Sequence, residues 1–158
     1  MAVSQPVHRG RFSGRPHWGV TVGPGMIVGL IGAIGIVVSM FMSWRVPSVH
    51  PSEIPAAFLW DRTSTSDPSF LIYLIPLAGL LAIGALMPGG AALRLVAGIG
   101  MLVVVGVFAY QLHRITDALN ADFGDALDPG FYVATIAGLV GFVSGFLPTF
   151  ASRRTVTG

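Results

Sequence analysis

Residues 91–112 read AALRLVAGIGMLVVVGVFAYQL, and this run decides the fold class. Its only charged residue, Arg94, lies close to the beginning. The run is as long as the roughly 20 apolar residues that a helix needs to cross the hydrocarbon core of a bilayer. It therefore predicts a transmembrane helix.

Three other apolar runs of similar character, 18–43, 69–87 and 130–150, flank this one. The whole chain is 53% apolar and only 10% charged, whereas about 25% of the residues in a soluble domain are charged. We therefore expect an all-α integral membrane protein whose domain 18–150 contains four spans arranged as two hairpins. Tails at 1–17 and 151–158 and loops at 44–68 and 113–129 complete the chain.

The charges predict the orientation of these spans. All nine basic residues are arginine, and six of them belong to the two tails and the turn between the second and third runs: Arg9, Arg11, Arg15, Arg94, Arg153 and Arg154. The two long loops hold all seven acidic residues. Because arginine near the ends of spans stays on the cytoplasmic side, both termini are expected in the cytoplasm and both loops outside a bacterial cytoplasmic membrane.

Several classes of chemistry are not expected from this sequence. There is no cysteine for a disulfide or a thiolate metal site, and the middle thirds of the four runs carry no ionisable residue of the kind that pumps use. The formal net charge is only +2 and the arginines are dispersed, which does not favour nucleic acid. We therefore expect no catalytic residue, no cofactor and no metal.

Two places are candidates for contact with a partner or with lipid. Trp60, Asp61 and Arg62 are consecutive in the first loop; the alternative is that Trp60 anchors the outer interface and the charged pair is solvated. Trp44, Phe131 and other aromatic residues are also expected at that interface. Arg94 is expected to extend to the cytoplasmic headgroups, with an anionic-lipid contact as its functional alternative.

The two re-entering helices are expected to begin in the same way. Asp67 and Asp128 each precede proline, and aspartate at an N-cap accepts backbone N–H bonds while proline suits the first helical position. The shared start indicates either a duplicated hairpin or a chance likeness between two apolar helices. Small residues recur in the first and fourth runs and predict close helix packing, within the chain or with a partner: Gly25, Gly29, Gly32, Gly138, Gly141 and Gly145.

The second loop, 113–129, is acidic. Its four aspartates lack the spacing of a calcium-binding loop, so a solvated or partner-facing surface is expected rather than a cation site. Leu119, Phe123 and Leu127 recur every four residues and predict a short amphipathic helix there.

The run FLWDRTSTSDPSFLIYLIPLAGLLAIGAL at 58–86, after a first span that ends in Ser43-Trp44, resembles small four-span membrane proteins of actinobacteria. The resemblance implies location and topology only, because these proteins have no assigned activity to carry over.

The expected function is a non-catalytic accessory or interaction subunit of a larger membrane complex. Its partners would be membrane lipids and either another membrane protein or a second copy of the chain. The alternative is a small oligomeric channel or a lipid or solute carrier built from the paired hairpins. A third hypothesis, an enzyme at the outer leaflet, requires Asp61, Arg62 or His113 to face a cleft that lipid can enter.

Overall fold

The computed structural model describes residues 22–60 and 68–149. Within them the chain forms four α-helices: α1 (Pro24–Met40), α2 (Leu71–Leu86), α3 (Ala91–Ala118) and α4 (Pro129–Ser144). Two short 3-10 helices cover Ala56–Trp60 and Gly124–Ala126, and the described residues contain no β-strand. The all-helical class predicted from the apolar runs is confirmed.

One of the four helices is long and apolar enough to cross a membrane. This helix is α3, with 28 residues, and at 1.5 Å per residue it measures about 42 Å. The other three are also apolar but have only 16 or 17 residues, or about 25 Å each. They are shorter than the runs predicted from the sequence, since α1 begins at Pro24 and α4 ends at Ser144.

The helices form a closed ring in which each contacts two neighbours. Helix α1 packs against α2 and α4, and α3 packs against α2 and α4. Backbone hydrogen bonds close the seam between the first and last helices, from Gly23 N to Thr149 O (2.9 Å) and from Gly25 N to Pro148 O (3.0 Å). We call this the terminal end of the bundle; the short α2–α3 turn also lies there. The opposite end, where both long loops lie, is the loop end.

An aromatic cluster fills the loop end. The ring of Trp44 lies edge-on to Phe70, Phe108 and Phe131, at centroid distances of 5.3, 5.3 and 6.2 Å. Trp44 has no exposed surface and Phe131 is also buried, so the two rings lie inside the bundle at the loop end and not on its outer surface. The reason is that the polar edge of the indole is satisfied inside the protein, by Ser39 O.

The six glycines named from the sequence are buried. A Cβ added to Gly32 would lie 3.1 Å from the backbone nitrogen of Gly141, so α1 and α4 are in near backbone contact there. Gly138 and Gly145 face side chains of α3, and Gly25 and Gly29 face the side chain of Arg94. These glycines therefore lie against other parts of the same chain.

The expected start of α2 is wrong. Asp67 lies outside the described residues, but the N-cap of α2 is Phe70, and Pro68 precedes the helix. The cause is pairing with the first loop: Ala56 N donates to Pro68 O (2.8 Å) and Phe70 N donates to Ile54 O (2.7 Å). This extended pairing delays the helix, and it removes the main likeness to α4, in which Pro129 does lie at the helix start.

Helix α3 continues beyond its predicted end at Leu112, to Ala118, and no amphipathic helix follows it. The helix ends where Asn120 adopts a positive φ of 52°. There Asn120 N donates to Asp117 O (3.2 Å) and Ala121 N donates to Thr116 O (2.9 Å). These are the two bonds of a Schellman motif, which satisfies the last carbonyls of a helix.

Candidate functional site

The candidate contact residues do not form one site. Trp60 lies at the loop end and Arg94 at the terminal end, whereas Asp61 and Arg62 lie outside the described residues. The indole of Trp60 is 66% exposed, and its Nε1 donates to the hydroxyl of Tyr73 across 3.2 Å. Trp60 is thus fixed against α2 with most of its ring outside the protein.

Asp128 occupies the N-cap position of α4 but makes no side-chain cap. Its carboxylate accepts no helix N–H, and its Oδ2 is buried without a hydrogen-bond partner. The two amides that a cap would use are already bonded, Gly130 N to Ser43 O (2.9 Å) and Phe131 N to the carbonyl of Asp128 (3.1 Å). The expected side-chain cap is therefore wrong, because the backbone of the preceding loop replaces it.

The side chain of Arg94 is turned into the bundle, whereas the sequence predicted that it would extend outward. Its side chain has no exposed surface and lies inside the bundle, where its Nη2 donates to Leu147 O (3.0 Å) and to Thr149 Oγ1 (2.9 Å). Both acceptors belong to the segment that follows α4. The C-terminal end of a helix carries partial negative charge and favours a cation nearby, which is consistent with the inward position of the guanidinium.

Glycine makes room for this arginine. At three glycines, an added Cβ would come close to the Arg94 side chain. The Cβ would meet the Arg94 Nη1 atom at Gly25, the Arg94 Cδ atom at Gly29 (3.1 Å) and the Arg94 Cγ atom at Gly84 (3.0 Å). The first two belong to α1 and the third to α2. The long side chain of Arg94 therefore runs between helices along surfaces that consist of backbone.

The bonds of Arg94 are incomplete. Its Nε and Nη1 are buried and have no hydrogen-bond partner. A guanidinium carries five N–H donors, of which Nε and Nη1 hold three. Buried polar groups without a partner are rare in proteins and costly, so this is the most unusual polar feature among the described residues.

A second candidate site is an apolar groove between α1 and α2. Its volume is about 490 Å³, and it is open along the side of the bundle. Small residues lie within it at Ala33, Ala78, Gly79 and Ala82, and larger aliphatic side chains such as Ile34 and Ile75 border it. Only apolar ligands, acyl chains or apolar helix faces fit such a surface.

Gly79 in this groove has no role inside the bundle. A Cβ built on it would meet no atom within 4 Å, although glycine in the interior of a helix costs about 0.5–1 kcal/mol relative to alanine. A mid-helix glycine that packs against nothing could have indicated this surface, but one sequence does not reveal which glycines are needed internally.

The acidic loop does not form a recognisable metal site. No group of three or more His, Asp or Glu side chains with the geometry to hold a metal ion occurs among the described residues. His113 lies near Asp117, with 4.0 Å between Nε2 and Oδ2, and both side chains are largely exposed.

Comparisons with known proteins add no relationship: no family model matches the chain, and no curated protein or solved structure gives a significant match.

Proposed function

We propose that this chain is a four-span protein of a bacterial cytoplasmic membrane that serves as an accessory or interaction subunit of a larger complex. The outward faces of all four helices support the four spans. Large aliphatic side chains are exposed on each helix, among them Ile34 on α1, Ile75 on α2, Val103 on α3 and Ile136 on α4. A water-soluble bundle would carry polar residues on those faces.

The proposed orientation has both tails in the cytoplasm. It is supported by the sequence, in which arginine is concentrated in the two tails and around the α2–α3 turn and the acidic residues in the two long loops. The three shorter helices would reach the two interfaces with the help of the segments that flank them, since bilayers adapt to modest differences in span length.

The observation that carries the interaction role is the groove around Gly79. Helices associate in lipid by close packing on small residues, because lipid supplies no hydrophobic drive between them. Gly79 and its alanine neighbours offer such a surface on the outside of the bundle, unlike the buried glycines of α1 and α4. The occupant we propose is a transmembrane helix of another protein.

The interior of the bundle favours this binding role over a channel. Leu74, Leu81 and Met101 have no exposed surface, and the aromatic cluster around Trp44 fills the loop end. The described residues provide no polar path along the axis of a single bundle.

The test compares two glycines. Gly79→Leu fills the groove, whereas Gly106→Leu places the same side chain on α3 at a mid-helix glycine whose added Cβ also meets no atom within 4 Å. Tagged protein is cross-linked in native membranes, purified in mild detergent and analysed by mass spectrometry. A reproducible partner should be recovered with wild type and with Gly106→Leu, and lost with Gly79→Leu. Recovery of a lone monomer from wild type, or equal recovery from both variants, would refute the proposal.

A further inference from the structure

We propose that the Arg94 guanidinium binds a phosphate group from outside the chain at the terminal end of the bundle. The starting observation is the set of unpaired donors. The side chain has no exposed surface, and two of its three guanidinium nitrogens have no acceptor. A buried charge is stable when it is paired with an opposite charge and fully hydrogen-bonded, and Leu147 and Thr149 supply neutral acceptors to Nη2 only.

The acidic side chains of this chain are at the wrong end. All seven belong to the loop end or to the first loop in sequence: Glu53, Asp61, Asp67, Asp117, Asp122, Asp125 and Asp128. Arg94 and Asp117 belong to the same helix, and their separation along it is about 35 Å at 1.5 Å per residue. Among the described residues, Arg94 makes no ion pair with a carboxylate, and we assign its counter-charge to another molecule.

Phosphate suits the unpaired donors better than a carboxylate. Nε and Nη1 present three N–H groups in the fixed plane of the guanidinium, and arginine binds phosphate oxygens through paired, charge-assisted bonds. A carboxylate has two oxygens, whereas a phosphate monoester or diester presents more acceptor positions. Arg94 also lies in the first turn of α3, where the helix dipole is positive and the first N–H groups have no acceptor within the helix.

The surroundings favour an anion. Arg94 is one of six arginines that the sequence assigns to the tails and the α2–α3 turn, a set that includes no acid. A lipid headgroup and a free phosphate ion offer the same chemistry to Arg94.

Binding is measured on the purified full chain in detergent. Native mass spectrometry follows titration with dioleoyl phosphatidylglycerol or with dioleoylglycerol, which has the same acyl chains and no phosphate, and calorimetry follows titration with sodium phosphate. Arg94→Gln should weaken binding of the responsive probe by about tenfold or more, the loss expected for a charged hydrogen bond. Arg114→Gln, which removes an arginine from the other end of α3, should leave binding unchanged.

The probes separate the sources. A response to phosphatidylglycerol alone assigns the phosphate to a lipid, and a response to sodium phosphate assigns it to a soluble ion. The proposal is wrong if wild type and Arg94→Gln bind both probes equally, or if wild type binds neither, in which case a carboxylate from a partner protein becomes the better candidate.

A measurement on the wild type alone covers the case in which Arg94→Gln does not fold. The Tm of wild-type protein should rise with phosphatidylglycerol or sodium phosphate and not with dioleoylglycerol, which has no phosphate, or with sodium chloride at equal ionic strength. An unchanged Tm with both phosphate probes would contradict the proposal.

Discussion

The indole Nε1 of Trp44 donates a hydrogen bond of 2.8 Å to the carbonyl oxygen of Ser39, five residues earlier in the chain. This bond turns the chain back over the end of α1. The ring then lies among Phe70, Phe108 and Phe131, which come from the segments of α2, α3 and α4. One side chain therefore links all four helices at the loop end.

Trp44→Ala should lower the free energy of unfolding by about 3–5 kcal/mol, the usual cost of deleting a large buried aromatic side chain. Unfolding is followed by circular dichroism during titration of the detergent-solubilised protein with sodium dodecyl sulfate. Trp60→Ala is the control, because its indole is 66% exposed, and it should change stability by less than about 1 kcal/mol. Equal losses for the two variants would contradict the position of Trp44.

Two glycines of α3 should respond in opposite ways to alanine. A Cβ on Gly98 would lie 2.6 Å from the Cα of Phe142, whereas one on Gly106 would meet nothing within 4 Å. Gly98→Ala should therefore cost about 1–3 kcal/mol through overpacking against α4. Gly106→Ala should stabilise the helix by up to about 1 kcal/mol. The same unfolding titration measures both, and a tolerated Gly98→Ala would show that α3 and α4 are not in backbone contact.

Asp128→Ala should lower the free energy of unfolding by less than is usual for a substitution at an N-cap. Removing a working cap costs about 0.5–2 kcal/mol, but the amides of Gly130 and Phe131 are bonded to backbone carbonyls and do not need the carboxylate. We expect a change of less than about 0.5 kcal/mol, partly because the variant also removes an unpaired buried oxygen. A loss near 2 kcal/mol would indicate that the carboxylate does cap α4.

The proposed orientation can be tested by labelling, since the chain has no cysteine of its own. Ser48→Cys at the loop end and Met87→Cys in the α2–α3 turn introduce single thiols at exposed positions. In intact cells, a membrane-impermeant maleimide should label Ser48→Cys and leave Met87→Cys unlabelled until the membrane is opened. The reverse pattern would invert the topology, and labelling of both in intact cells would contradict the four-span proposal.

The class of the fold could be predicted because the apolar runs are a local property. The helix ends were less accessible, because they depend on distant pairings. The delay of α2 to Leu71 results from bonds between residues 54–56 and 68–70, which no capping pattern reveals. The end of α3 at Ala118 depends on the backbone turn at Asn120. The polar residues that begin after Leu112 are equally compatible with a helix that stops there and with one that continues for six more residues.

The candidate sites were harder to predict for a different reason. An arginine near the end of an apolar run can extend to headgroups or turn inward, and the two outcomes depend on whether glycines on neighbouring helices leave room. Gly25, Gly29 and Gly84 leave that room for Arg94. Likewise, an aromatic residue in the loop after a span can lie at a membrane interface or in the core of the protein. Trp44 is buried and Trp60 is exposed, although the sequence gives the same prediction for both.

The bonds from Gly23 to Thr149 and from Gly25 to Pro148 have a consequence for the connectivity of the chain. Since the first and last helices are neighbours, the ring has no fixed starting point. A short linker joining residues 22 and 149, with new termini opened in the α2–α3 turn, would give a circularly permuted protein with the same helix contacts. In that protein α3 and α4 would be synthesised before α1 and α2, so the order in which the two hairpins are made could be exchanged without changing the final architecture.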